Sequence, residues 1–263
     1  HDELRRQRQM CIRDSAFGGP FKNKKLKYRL VLRNDYADGF RKNTYLNKSD
    51  TSKKDEQTIR YKLNWDLSDR TNINFLVSRI NMDDPADIWT IDGSLNTLSD
   101  RPGMDSQKTN SYGMKVTKEF NTFNFKSLTS MTKTDVVFSY DADWGNPESH
   151  FPYIYDYFSE TLRKRDTFSQ EIRFLSKDLN FSQRNLFEWI FGIDINELNE
   201  TNVTRDDGIY GDPSDPYGPY ESETMVSRNY EANNLSLFGN VDYFLAENYT
   251  LSAGLRWENW DAK

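Results

Sequence analysis

One cysteine, two histidines and no long apolar run set the first limits on this 263-residue chain. A disulfide framework needs paired cysteines, so none can form within the chain. Nucleophile–base pairs of the usual kinds would have to be built around Cys11, His1 or His150. No apolar segment approaches the roughly 20 residues of a membrane helix. Acidic residues outnumber basic ones, for a net charge of −6, so nothing here tracks a phosphate backbone and nucleic acid is not an expected partner. Aromatic residues make up 14 % of the chain, too many for a disordered segment.

The scarce residues are concentrated at the start, in HDELRRQRQMCIRDS. Met10, Cys11 and Ile12 do not make the apolar centre of a secretory signal. HDEL is an address only at a C-terminus. Residues 5–15, RRQRQMCIRDS, resemble the translation of a transposase-type sequencing adapter. On that resemblance residues 1–15 are adapter-derived, not native, and leave fold reasoning altogether. Residues 16–263 then carry no cysteine, are more acidic still, and keep only His150.

What is abundant is alternation. Ile59, Tyr61, Leu63, Trp65 and Leu67 alternate with Arg60, Lys62, Asn64 and Asp66 without a break. A period of two places the apolar set on one face of a strand and the polar set on the other. The pattern recurs at Ile73, Phe75 and Val77; at Phe187, Trp189, Phe191, Ile193 and Ile195; at Leu235, Leu237, Gly239, Val241, Tyr243 and Leu245; and at Leu251, Ala253, Leu255 and Trp257. Weaker strands are expected over 26–35, 108–120, 123–140 and 162–176, with a stump over 16–21. That makes about nine or ten strands.

Short turns are expected at 68–71, 121–122, 177–184 and 246–248, and long polar loops at 36–55, 83–107, 141–161 and 199–228. Strict alternation of short and long connections fits an antiparallel up-and-down transmembrane β-barrel, whose lipid contact uses alternate residues only and so escapes hydropathy averages. Trp65, Phe120, Phe123 and Tyr243 lie near the short turns, where an interfacial aromatic girdle would sit, with Tyr140 and Trp257 toward the other end.

Two paired segments carry a family resemblance. Residues 236–243, SLFGNVDY, lead through a short turn to 249–258, YTLSAGLRWE. The pair resembles the F-G-Q-x-D, turn, L-T-x-G-L-R-Y-E pattern of TonB-dependent outer-membrane receptors. Lys27 to Leu30, Asp38 to Asn43 and Lys54 to Gln57 are similar to the first barrel strands after the plug of that family, and Gly18-Gly19-Pro20 to the approach into it. The resemblance implies a 22-stranded barrel in the bacterial cell outer membrane. Residues 16–263 would supply a little under half of its strands and none of its plug. It also implies energy-coupled uptake of a scarce solute, most simply a ferric siderophore. The implied partners are outer-membrane lipid, an extracellular small molecule, and a TonB-type protein that meets an N-terminal region lying outside these residues.

The long polar segments hold the candidate ligand-binding residues: Trp144, Tyr153, Tyr155, Tyr210, Tyr217 and Tyr220, aromatic faces on which an apolar or sugar-like ligand could stack. Residues 206–220 are also rich in oxygen ligands that calcium favours, but the D-x-D-x-D-G spacing is absent and a flexible acidic loop is expected instead. No catalytic residue, metal site or cofactor is expected; His150 reads as a solvated loop residue, and no carboxylate stands in surroundings apolar enough to mark a raised pKa. Two other classes stay open: a passive porin-like or adhesin barrel, and a soluble β-rich carbohydrate-binding protein.

Overall fold

Alternation of the kind seen at 59–67 can satisfy its backbone only by pairing with neighbours, and the chain does so throughout. The computed structural model describes residues 10–22, 24–177, 186–246 and 249–263. Its strands are β1 (Met10–Pro20), β2 (Leu26–Ala37), β3 (Lys42–Asn43), β4 (Lys54–Ser68), β5 (Thr71–Pro85), β6 (Asn96–Thr97), β7 (Met104–Glu119), β8 (Phe123–Asp141), β9 (Ile154–Ser176), β10 (Phe187–Gly211), β11 (Tyr220–Ala246) and β12 (Tyr249–Ala262). Ten of them form one antiparallel meander in the order β1-β2-β4-β5-β7-β8-β9-β10-β11-β12. Among the described residues β1 and β12 do not pair, so this sheet is open. The remaining two, β3 and β6, make a small parallel pair between two loops, a contact across distant segments that local periodicity does not reveal.

Register makes the sheet two-faced. One row runs Leu26, Trp65, Ile73, Val116, Ser127, Ile172, Ile193, Leu237, Trp257 from β2 to β12, and every member but Ser127 is apolar. The adjoining row on the opposite face runs Lys27, Asn64, Asn74, Lys115, Leu128, Glu171, Asp194, Ser236, Glu258, polar but for Leu128. On the polar face Asn64 donates to Asn72 and Asn74, and Lys27 pairs with Asp66 at 3.1 Å. The apolar face has no cover: Ile59, Trp65, Phe191, Leu237, Leu251 and Leu255 are all exposed, and Ala86 and Ala232 are the only buried apolar residues among those described. A water-soluble sheet of this size would bury such a face in a core.

The apolar stretch on each strand is short relative to the strand. On β10 it spans Phe187 to Ile195 and ends at Glu197, close to the roughly 9 to 11 residues needed to cross a bilayer at a tilt. Yet β9, β10 and β11 run 23, 25 and 27 residues, and at about 3.3 Å per residue the last approaches 90 Å. The expected long loop at 199–228 is therefore largely strand, and so is the 154–161 part of the one expected at 141–161. Their polar composition suggested loop, but above the apolar band both faces of a hairpin meet water, so the alternation vanishes while the backbone ladder continues. The connection between β10 and β11 shrinks to residues 212–219.

Two further expectations change. The stump over 16–21 is a full strand: Met10 to Ser15 pair with Ala37 to Leu32 of β2. Ladder hydrogen bonds use backbone groups that every non-proline residue carries, so this pairing does not depend on side-chain pattern. Tyr140 is no girdle residue; its parity puts it on the polar face, packed with Trp89 at 5.1 Å and Phe138 at 5.8 Å. Trp65 and Tyr243 do lie exposed on the apolar face near short turns, and Phe120 stacks on Phe123 across one of them. The expected turns at 177–184 and 246–248 fall mostly outside the described residues. No helix among the described residues is long and apolar enough to cross a membrane, which leaves crossing by strands untouched.

Candidate functional site

The long-loop end of the sheet is built around buried polar groups rather than an apolar core. Asp87, 2 % exposed, accepts from Asn43 Nδ2 at 2.9 Å, Thr97 Oγ1 at 2.8 Å and Ser99 Oγ at 2.8 Å. These contacts, with the β3–β6 pair, fasten loop 38–53 to loop 86–103. A second cluster fastens loop 86–103 to loop 142–153: Asn146 Nδ2 donates to the Leu98 carbonyl and the Asp100 amide to the Gly145 carbonyl. Arg101 clamps the same loop to the β9–β10 hairpin, pairing with Asp207 at 2.7 Å and Asp156 at 3.3 Å while its guanidinium lies 4.5 Å from the Phe158 ring centre.

Within the second cluster, Asp143 accepts from the Gly145 amide and, through its other oxygen, from the Tyr157 amide. His150 is half-buried with Nε2 3.6 Å from Asp143, and its ring meets Tyr155 edge-on at 5.2 Å. It is thus part of the loop packing, not the solvated residue its polar surroundings suggested. Asp141, 4 % exposed and beyond the apolar band, has its carboxyl pushed up to about 7, first by burial and then by the nearby charges of Asp143 and Asp100. Asp100 shifts upward for the same reasons, burial foremost. The sequence shows no apolar setting around Asp141, because what desolvates it is the fold of two polar loops.

This shift has a sign. Between the ordinary carboxylate value and about 7 the folded protein holds a proton on Asp141 that the unfolded chain releases, so the loops are most stable at the acidic end of that window and lose stability as pH rises toward 7. Protease cleavage within loops 86–103 and 142–153 is expected to be slower near pH 5.5 than near pH 8, by the equivalent of about 1–3 kcal/mol. Asp141→Asn should flatten the dependence; a pH profile unchanged by that substitution would contradict this assignment.

Of the aromatic residues singled out in the sequence, register brings three together. Tyr155 pairs with Tyr210, and Tyr210 with Tyr220, so one row of tyrosines crosses β9, β10 and β11. Tyr157 joins them, 4.9 Å from Tyr155, and Tyr210 meets Tyr155 edge-on at 6.4 Å. All four lie on the face that is polar lower in the sheet, continuous with the Ser159–Asp206 and Thr161–Thr204 contacts. Gly208 makes the seat possible: a β-carbon there would overlap the Tyr157 ring. Tyr217 stands apart at the hairpin tip, 85 % exposed, above a turn held by Asp212 and Asp215, and Tyr220 donates its hydroxyl to Asp215. Trp144 and Tyr153 are exposed in loop 142–153 and belong to no aromatic pair among the described residues. The spacing of Tyr153, Tyr155 and Tyr157 is itself a period of two, a strand signal masked by its polar setting. No grouping of three or more His, Cys, Asp or Glu among the described residues is arranged to hold a metal ion.

No family model and no curated protein matches the chain. Solved structures do. The ferric yersiniabactin uptake receptor FyuA of Yersinia pestis superposes with a TM-score of 0.68 at 12 % identity, over 96 % of this chain and 37 % of that one. The siderophore receptor PiuA of Acinetobacter baumannii gives 0.60 at 12 % identity, over 96 % and 41 %. The copper transporter OprC gives 0.57 at 13 % identity, over 97 % and 38 %. At such identities the likeness is one of fold, and the chain spans well under half the length of each.

Proposed function

We propose that this chain is a wall segment of a TonB-dependent outer-membrane receptor, resident in the bacterial outer membrane and not an enzyme. A scarce solute, most simply a ferric siderophore, is captured at the long-loop end and imported with energy delivered by a TonB-type partner through regions outside this chain. The observation that carries the reading is the sheet with one uncovered apolar face, one polar face and a tyrosine row above the apolar band. Lipid suits the first face, a closed aqueous interior the second, and a ligand with apolar or ring surface the tyrosines. A soluble carbohydrate-binding protein has no use for an uncovered apolar face of this extent. Residues 1–15 we take as adapter-derived, which sequencing of the uninterrupted locus checks; the backbone pairing of β1 does not bear on it.

The reading is tested by uptake. Cells whose only receptor is the intact protein should accumulate radiolabelled iron from a ferric siderophore under iron limitation, and should stop when the coupling protein is deleted. Uptake that continues without the coupling protein would instead mark a passive pore. Gly208→Val should displace Tyr157 and weaken binding of the imported solute about tenfold, while leaving the heat-modifiable migration of the folded barrel unchanged. Unaltered affinity would remove the tyrosine row from the site.

A further inference from the structure

On β9 to β12 the polar face carries Arg163, Arg165, Arg173, Arg228 and Arg256. Low on the sheet each arginine has an acid of its own, Arg173 with Glu171 and Arg256 with Glu258. Higher up, three arginines are gathered around one acid. Glu200 pairs with Arg165 at 2.5 Å, while Arg163 Nε stands 3.4 Å from it and makes no hydrogen bond. Arg228 has no ion pair with any described residue. Register sets Arg163 and Arg228 on either side of Asn202, in the row above Arg165 and Glu200. Their strands are therefore about 10 Å apart, with a short polar side chain between them.

Glu200 lies beyond Ile195, where the apolar stretch of β10 ends, so the cluster belongs to the long-loop end of the wall. The tyrosine row continues the same face, with Gly208 about 20 Å further along the strand than Asn202. Between the two lie Thr161 with Thr204 and Ser159 with Asp206, polar pairs that engage each other. Three guanidinium groups against one carboxylate leave a local positive excess in a chain whose net charge is −6. Guanidinium also presents paired N–H donors, which match the paired oxygens of carboxylate, catecholate or phosphate groups. We propose that this cluster is a second binding station for the captured solute and that it selects an anionic one, gripped by Arg163 and Arg228 across Asn202. Tyrosine faces offer ring contact to neutral and anionic molecules alike; the arginines separate the two. A small solute does not span 20 Å, so the stations act in turn, tyrosines first. That the occupant is the captured solute rests on the receptor reading above; its sign follows from the arginines.

Titration of the intact, purified receptor with ferric complexes of different charge tests this, with binding read from the quenching of tryptophan fluorescence. The probes are an anionic tris-catecholate, an anionic polycarboxylate and a neutral tris-hydroxamate. An anionic complex is expected to bind most tightly, with an affinity that falls as salt rises. Arg228→Gln breaks no ion pair and should leave heat-modifiable migration unchanged while weakening that complex about tenfold. Arg228→Lys, which keeps the charge, should recover part of the loss. Arg163→Gln leaves Arg165 on Glu200 and should weaken binding in the same way, which provides a second variant if the first does not fold. A neutral complex bound most tightly, no anionic complex bound, or an affinity indifferent to both arginines would each overturn the proposal. So would variants that impair folding of the barrel yet leave affinity unchanged, since the arginines would then serve another part of the receptor. Coupled uptake that is intact but blind to these substitutions sinks only this inference. Uptake that persists without the coupling protein sinks the receptor reading instead.

Discussion

Leu63→Arg in the intact protein is expected to lower the free energy of unfolding by roughly 2–4 kcal/mol, the cost of placing arginine on the lipid side of a barrel at the bilayer midplane. Leu63 is the central member of the apolar run from Ile59 to Leu67 on β4, and register sets it between Tyr28 of β2 and Phe75 of β5, with Met114 of β7 next in the row. No water-facing neighbour is available to the guanidinium on that face short of the strand ends. Arg60, three residues away on the same strand, has the opposite parity, and Arg60→Gln should cost less than about 1 kcal/mol. Urea unfolding in lipid vesicles, followed by tryptophan fluorescence, measures both. Equal losses at the two positions would mean that the faces are not distinguished by their surroundings.

The second large effect is expected at Asp87, and it is local. Asp87→Ala removes the acceptor for Asn43, Thr97 and Ser99; Asn43 and Thr97 are fully buried, so their donors have no water to turn to. Buried groups left unpaired cost about 1–3 kcal/mol each, which puts the loss on the order of 3–5 kcal/mol. Loop 86–103 keeps its hydrogen bonds to loop 142–153 and its Arg101 clamp, so this loss should part loop 38–53 from the 86–99 stretch of loop 86–103 while β4 and β5 stay paired. Limited proteolysis should show new cuts confined to those two loops, and Asp87→Asn, which keeps one acceptor, should be intermediate. Cutting rates equal to the wild type would show that the network does not hold the loops.

The two-faced sheet was legible because alternation is local: Phe187 to Ile195 and Leu235 to Leu245 each announce strand and facing from a few residues. Their register confirms that these rows share one face. Legibility stopped where both faces become polar. Glu197 to Gly211 of β10 carries no alternation, and the ladder that continues through it depends on β9 and β11 on either side. The same limit hid the site. Tyr155, Tyr210 and Tyr220 were visible as aromatic residues in polar segments, but their common row is a product of register, and Trp144, Tyr153 and Tyr217 looked equivalent to them. Asp141 and His150 were invisible for another reason: burial of one polar loop by another leaves no mark in either loop's composition. Ser127 and Leu128, reversed relative to their rows, show only once the rows exist.

The most direct test of the central claim, that the odd-numbered residues of lower β10 face lipid, is spin-label accessibility along that strand. Single cysteines at positions 187 to 199 of the intact protein, labelled and reconstituted in bilayers, report collisions with oxygen, which partitions into lipid, and with a water-soluble nickel chelate. Oxygen accessibility is expected to peak at Phe187, Trp189, Phe191, Ile193 and Ile195 with a period of two, and to give way to the chelate at Glu197 and Asn199. A profile without that period, or one in which the odd positions meet the chelate as readily as the even ones, would contradict a lipid-facing wall.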